Sequence, residues 1–150
     1  MKKEFGKDFC EGFLVANDDF LYMTSYNHSL ISVDLHTKKI TTKDFGFASG
    51  GELIMKNDIL YISSVDPSFG AEKSTLIKYD PKTEKKLAAW HFNYSVRQFD
   101  VRNNELFVFG AKPFTLNKFE DKENELVDIY SVALPGEVDN YRYSGFWCLY

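Results

Sequence analysis

The segment from Gly51 to Leu87 reads GELIMKNDILYISSVDPSFGAEKSTLIKYDPKTEKKL. Its first apolar run, Leu53–Met55, meets a polar turn, Lys56-Asn57-Asp58, and a second run, Ile59-Leu60-Tyr61-Ile62, follows at once. Asn and Asp suit tight turns because they tolerate left-handed φ and bond their own backbone. After a loop comes Thr75-Leu76-Ile77-Lys78-Tyr79-Asp80, where apolar and polar residues partly alternate, the period of a strand with one buried face. Asp80-Pro81-Lys82-Thr83 then has Asp and Pro at the first two positions of a good β-turn, and a fourth run follows over Leu87–Phe92. The segment predicts four short strands joined by tight turns.

The same grammar stands on both sides. Upstream, Gly12–Ile40 reads GFLVANDDFLYMTSYNHSLISVDLHTKKI, with runs at Phe13–Ala16, Phe20–Met23, Ser29–Asp34 and Ile40–Phe45. Downstream, Val96–Val127 reads VRQFDVRNNELFVFGAKPFTLNKFEDKENELV, with runs at Phe99–Val101, Leu106–Phe109, Thr115–Glu120 and Val127–Val132. An acidic residue, Asp34, Asp80 or Glu120, ends the third run of each copy, and turn residues follow it: Leu35–Lys38, Pro81–Glu84 and Asp121–Asn124. Helical spacing of Leu126, Ile129, Tyr130, Ala133 and Leu134 competes in one place, and helix formers at Thr83–Trp90 in another. The repeat puts both in the fourth-strand slot, so both are read as strands.

Leu21 to Leu60 is 39 residues and Leu60 to Leu106 is 46; Asp34 to Asp80 is 46 and Asp80 to Glu120 is 40. Four strands per roughly 40–45 residues is the length of a propeller blade. The pattern Leu-Tyr-apolar-Ser/Thr, then Leu-Ile-x-apolar-Asp-x-x-Thr, resembles the blade repeats of quinoprotein-like and YVTN-type β-propellers. The Gly-His and Trp-Asp marks of WD40 blades are absent, as is the double glycine of kelch. The resemblance implies an all-β fold of tandem four-stranded antiparallel blades, about three of them, incomplete or completed by association. The expected single domain spans 1–150, with repeats at 12–45, 51–92 and 96–134 and a partial blade strand at 143–150. At the other end, Phe5–Phe9 reads as the last strand of a preceding blade. The core is expected at Leu21, Tyr22, Leu60, Tyr61, Leu106 and Phe107 in the second strands and Leu30, Leu76 and Leu116 in the third.

Composition agrees with this reading. The chain has 150 residues, 44% hydrophobic, with 14 Phe, 9 Tyr and 2 Trp, an aromatic excess that favours pleated surfaces. A net charge of −4, with lysines scattered among acids, gives no basic stripe for nucleic acid. Cys10 and Cys148 are too few and too separated for a disulfide framework or a Cys-x-x-Cys zinc site; they read as two free thiols, with a bond joining the chain ends as the alternative. No run of about 18 apolar residues exists to span a membrane. A cytoplasmic location is expected of the chain as it stands, with export open if a leader was removed.

The turns between first and second strands, and between third and fourth, are short and nearly constant. The other connections vary: Tyr26–His28, Val65–Ser74 and Gly110–Phe114 within copies, and Gly46–Gly50, Asn93–Ser95 and Pro135–Tyr143 between them. In an antiparallel blade both variable sets emerge at one end, and such a face is often the binding face. Candidate ligand-binding residues there are Tyr26, His28, Phe69, Arg97 and Arg142. Arg is a natural carboxylate or phosphate ligand; for Arg97 and Arg142 the simpler reading is an ion pair with Asp44, Asp100 or Asp139.

Catalytic motifs are missing. The sequence has no G-x-S-x-G elbow, no phosphate-binding P-loop and no H-E-x-x-H. His28, His36 and His91 occupy non-equivalent slots, so no axial metal ring, and no cofactor, is expected. The expected function is a non-catalytic scaffold that binds a protein or small ligand through its variable-loop face, with self-association as a further expectation. Two alternatives stand beside it. One is a lactonase-like hydrolase or lyase, for which the inner strands offer only Glu52 and Asp100. The other is a structural segment of a larger propeller assembly.

Overall fold

The computed structural model describes residues 13–25, 30–46, 49–65, 73–111 and 114–134, and every regular element among them is a strand. The first sheet holds β1 (Leu14–Ala16), β2 (Phe20–Met23), β3 (Leu30–Asp34) and β4 (Ile40–Lys43). The second holds β5 (Ser49–Lys56), β6 (Ile59–Val65), β7 (Ser74–Asp80) and β8 (Lys85–Phe92). The third holds β9 (Ser95–Arg102), β10 (Glu105–Ala111), β11 (Thr115–Lys122) and β12 (Glu125–Ala133). Each sheet runs antiparallel in chain order, so every strand pairs with its sequence neighbour. The segments with helical spacing form β8 and β12; their apolar residues pair across an existing sheet, and that pairing overrides local helix propensity.

Turn chemistry sets the register. Asn57 and Asp58 both have positive φ, as do Glu123 and Asn124, matching two-residue hairpins whose twist suits the flanking strands. Asn17 Oδ1 accepts the Asp19 and Phe20 N–H groups at 3.0 and 2.8 Å. Asp34 Oδ1 accepts those of His36 and Thr37, both at 2.8 Å, and hydrogen bonding from Thr37 foremost holds its carboxyl below the usual range. Asp80 repeats the device towards Lys82 and Thr83. In the third copy the turn falls at Asp121–Asn124, as the sequence placed it: Lys122 pairs with Glu125 across a two-residue hairpin, and Asp121 Oδ1 accepts Asn124 N–H at 2.9 Å.

Two apolar layers join the three sheets. Between the first and second lie Tyr22, Leu30, Leu53, Leu60, Ile62, Ile77 and Tyr79. Between the second and third lie Tyr61, Leu76, Trp90, Phe92, Phe99, Val101, Leu106 and Val108. Alternation within the second sheet accounts for both: Leu60 and Ile62 point to the first sheet, and Tyr61 between them points to the third. Polar contacts tie the second of these joints. Trp90 Nε1 donates to the Asn124 carbonyl at 2.8 Å, and Lys78 Nζ pairs with Asp121 Oδ2 at 2.6 Å with both side chains largely buried.

Six of the nine expected core residues are buried: Tyr22, Leu60, Tyr61, Leu106, Leu30 and Leu76. Leu21, Phe107 and Leu116 are only half-buried. Phe107 and Leu116 face away from the second sheet, where no described sheet packs against them, whereas Leu21 shares its face with Met23 and Ile31, which are buried. The strands expected at Phe5–Phe9 and at 143–150 lie outside the described residues.

Candidate functional site

The pairing puts the variable connections at one end of each sheet. Met23 pairs with Ile31 beside the β2–β3 connection, and Leu30 pairs with Lys43 beside the link to the second sheet. Ser74 opposite Phe92 and Thr115 opposite Ala133 repeat this arrangement. Tyr26, His28, Phe69 and Arg142 lie outside the described residues. Arg97 is described, exposed, on β9 close to that end. Asp100 does not pair with it. Arg102 Nε holds Asp100 Oδ2 at 2.8 Å instead, because two residues along a strand share one face.

Beneath the loops sits a row of buried hydroxyls at Thr24, Ser25, Ser63, Ser64 and Ser74. Thr24 Oγ1 accepts the Phe13 N–H at 3.1 Å and donates to the Gly51 carbonyl of the next sheet at 2.7 Å. Ser74 Oγ accepts the Val96 N–H of the third sheet at 2.9 Å, and Ser64 Oγ accepts the Thr75 N–H at 2.8 Å. Thr24 and Ser74 therefore satisfy backbone groups of the inner strands β5 and β9 from the preceding sheet, which a small Ser or Thr can do without filling the joint.

Both inner strands carry a bulge at this level. Gly50 pairs with Ser64 and Leu53 with Ile62, leaving Gly51 and Glu52 opposite Ser63 alone. On β9, Val96 pairs with Gly110 and Gln98 with Phe109, leaving Arg97 as the extra residue. Bulges re-aim side chains. Here the bulged strand carries Glu52, whose Oε2 accepts the Phe99 N–H of β9 at 2.7 Å. Burial pushes the Glu52 carboxyl up to about 7, against the lowering effect of the Phe99 N–H; the nearby Asp100 charge adds to the rise. A half-buried carboxyl of this kind holds or releases a proton near neutrality. The sequence pointed to Glu52 only as an inner-strand acid; its bulge and its reach across the joint depend on tertiary pairing. Glu52 and Asp100 do not form a carboxylate pair, since one is engaged by Phe99 and the other by Val101 N–H and Arg102.

A second feature went unread in the sequence. Between the second and third sheets an open groove of about 840 Å³ is lined by Trp90, Phe92, Tyr94, Asn117, Phe119 and Asp128 among others. Burial, with Asp128 adding to it, pushes the Tyr94 hydroxyl up to about 12. His91 stands beside this groove with Nδ1 3.0 Å from Thr75 Oγ1. Among the described residues no group of three or more His, Cys, Asp or Glu side chains could hold a metal ion.

Three four-stranded antiparallel sheets, packed face to face in chain order, define an all-β protein of propeller-like architecture, each sheet a blade. Solved structures of this class are similar to it. The N-terminal domain of Nup159 matches with a TM-score of 0.58 at 22% identity, over 85% of this chain and 32% of that one. A structure of S. cerevisiae Dbp5 bound to Nup159, Gle1, IP6 and ADP matches at 0.57 and 21%, over 86% and 32%. The computationally designed Ika4 protein matches at 0.65 and 13%, over 85% of this chain and 78% of that one. The chain thus spans about a third of the length of the Nup159 structures. No family model matches the chain, and no curated protein matches it in sequence. Among the described residues no helix is long and apolar enough to cross a membrane.

Proposed function

We propose that this chain is a non-catalytic, single-domain propeller-type scaffold that binds a protein or small ligand through its variable-loop face, with blades of the quinoprotein-like or YVTN kind. The supporting observation is the row of buried hydroxyls under that face, with Thr24 and Ser74 fixing inner strands of the neighbouring blade. A platform anchored in this way presents variable loops on rigid strands, the usual division of labour in binding folds. That Nup159 is bound to Dbp5 in one of the matching structures supports a protein as the occupant. Backbone amide NMR during titration with fragment and peptide mixtures tests the reading. Perturbations are expected at Tyr26, His28, Phe69, Arg97 and Arg142; perturbations confined to the opposite turns at Asn57, Asn103 and Asn124 would overturn it.

One observation favours a second reading, a propeller hydrolase or lyase. Glu52 sits on an inner strand with its carboxyl pushed up to about 7, a value suited to proton transfer near neutral pH. Turnover of chromogenic esters or lactones that disappears in Glu52→Gln, with folding retained, would replace the scaffold reading by this one.

A further inference from the structure

The second and third blades meet as the first and second do, but the outer parts of the two joints differ in charge. At the first joint Phe45 packs edge-on against Tyr79 at 5.1 Å, and the Lys43 ammonium lies 5.9 Å from the Tyr79 centroid. At the second, Phe92 and Phe119 take the places of Phe45 and Tyr79, edge-on at 5.7 Å. Trp90 is the counterpart of Lys43, since Lys43 pairs with Leu30 and Trp90 with the equivalent Leu76. The second joint therefore keeps the aromatic walls and lacks the cation that the first holds over them.

The wall contributed by the third blade differs too. Ile31 and Ile77 of the first two blades correspond to Asn117 in the third, which is buried and lines the groove. Its Nδ2 donates to Thr115 Oγ1 and the Val108 carbonyl at 2.9 and 3.4 Å, so what it can still offer is the acceptor Oδ1. On β12 Ile129 is the extra residue of a bulge, because Phe119 pairs with Asp128 and Lys118 with Tyr130. Residues three apart on a regular strand point to opposite faces; this bulge brings both Asp128 and Ser131 to the groove. At the register of Asp128 the second blade has Lys86, paired with Tyr79, so the sign of the charge is reversed between the joints.

The groove is thus rich in acceptors and poor in positive charge. Among the described residues, no Lys or Arg lines it, and neither Glu125 nor Asp128 of its lining forms an ion pair. The Trp90 indole N–H, a donor that would suit an anion, is already engaged by the Asn124 carbonyl at 2.8 Å. The His91 ring is held by Thr75 Oγ1, which the alternation of β7 puts on the other face of the sheet from Leu76. Burial raises the Tyr94 hydroxyl to about 12 and the Asp128 charge adds to it, so that charge acts across the groove. The aromatic ring faces add negative potential of their own.

We propose that this groove is a binding site for a small organic cation, an aryl-alkyl amine whose ammonium pairs with Asp128 and whose body lies against Phe92 and Phe119. A volume of about 840 Å³ suits such a ligand. An ammonium held between a ring and a carboxylate is chemistry the chain already uses: Lys118 Nζ lies 5.5 Å from the Phe107 centroid and 2.6 Å from Glu105 Oε1. None of the candidate loop-face residues lines the groove, so it is a second site, independent of that face.

Calorimetry and backbone amide NMR on the whole chain test this with three probes of one shape: tryptamine, a cation, tryptophol, neutral, and indole-3-propionate, an anion. Tryptamine is expected to shift the amides of Asn93, Asn117, Asp128 and Ser131. It is expected to bind about tenfold more tightly than tryptophol, with indole-3-propionate weaker still, and to weaken as salt is raised. Asp128→Asn, at an exposed position, is expected to abolish the preference for tryptamine and leave tryptophol binding unchanged. Asp18→Asn, exposed on the first blade, makes the same change in net charge and is expected to alter neither. Equal affinity for the three probes, no binding of tryptamine, or amide shifts confined to residues outside the groove would overturn the proposal. So would a preference for tryptamine that survives Asp128→Asn, or binding of a lysine-bearing peptide but not of the free amine.

Discussion

Glu52 Oε2 accepts the Phe99 N–H at 2.7 Å, so a side chain from the inner strand of the second blade closes a backbone bond on the inner strand of the third. The carboxyl is pushed up from near 4.5 to about 7, chiefly by burial. The folded chain therefore holds this proton more tightly than the unfolded chain. Its contribution to stability is fully present below about pH 4.5 and declines as pH rises through about 7. Glu52→Gln keeps an oxygen acceptor and cannot ionise. The stability of the variant relative to the parent is expected to grow between pH 5 and 8 in urea titrations. A difference independent of pH would mean that Glu52 is ionised throughout that range.

Leu60 is fully buried in the joint between the first and second blades. Leu60→Ala is expected to cost about 2–5 kcal/mol, as deletion of a buried leucine does. The third-blade position Phe107 belongs to the same strand slot but lies half-buried on an end face. Phe107→Ala is therefore expected to cost less of the folding free energy than Leu60→Ala, measured by denaturant unfolding at low concentration. An equal or larger cost would mean that the end face is covered within a single chain.

This contrast marks what could be read from the sequence. Strands and turns were legible because their signals are local: alternation in Thr75–Asp80, the Asn57-Asp58 hairpin, the carboxyl turn at Asp34. Burial was legible only as far as the repeat holds, since Tyr61 and Phe107 look alike in sequence and differ in whether a described sheet packs against them. Bulges were not legible. The one around Gly51 lets Glu52 reach Phe99 across the joint. Of the candidate site, Arg97 alone falls among the described residues, as the exposed extra residue of the β9 bulge.

Lys78 and Asp121 form an ion pair at 2.6 Å with 16% and 11% of their side chains exposed, and Asn124 Oδ1 accepts from the same ammonium at 2.8 Å. Removing one partner strands a poorly hydrated charge, with a cost of about 3–5 kcal/mol for fully buried pairs and less here. Asp121→Ala also removes the turn bond to Asn124 N–H, so it is expected to destabilise more than Lys78→Met. The double variant is expected to be more stable than the sum of the two losses implies. Additivity in a double-mutant cycle would show that the pair contributes nothing.

Glu123 holds a φ of 53° in the β11–β12 hairpin, a left-handed conformation that costs most residues about 1–2 kcal/mol and that Asn adopts readily. Its neighbour Asn124 also has positive φ but is committed through its carbonyl to Trp90 and through its side chain to Lys78. Substitution belongs at the first position. Glu123→Asn is expected to raise stability by about 1 kcal/mol in denaturant unfolding, and a loss of stability would mean that the turn is not of this type.

Tyr94 separates two effects within one side chain. Its ring packs on Phe92 at 5.4 Å and closes over Gly110, where an added Cβ would come within 2.7 Å of Cδ2. Its hydroxyl is buried without a hydrogen-bond partner, a state that costs about 1–3 kcal/mol. Tyr94→Phe keeps the ring and removes the orphaned group, so it is expected to be neutral or stabilising by about 1 kcal/mol. Gly110→Ala acts on the ring instead, and overpacking there is expected to cost about 1–3 kcal/mol. Adding Tyr94→Ala to Gly110→Ala opens space for the new methyl, so the pair is expected to be less destabilised than the sum of the single variants. If Tyr94→Phe loses more than about 1 kcal/mol, the hydroxyl has a partner in the groove, and that partner contributes to stability.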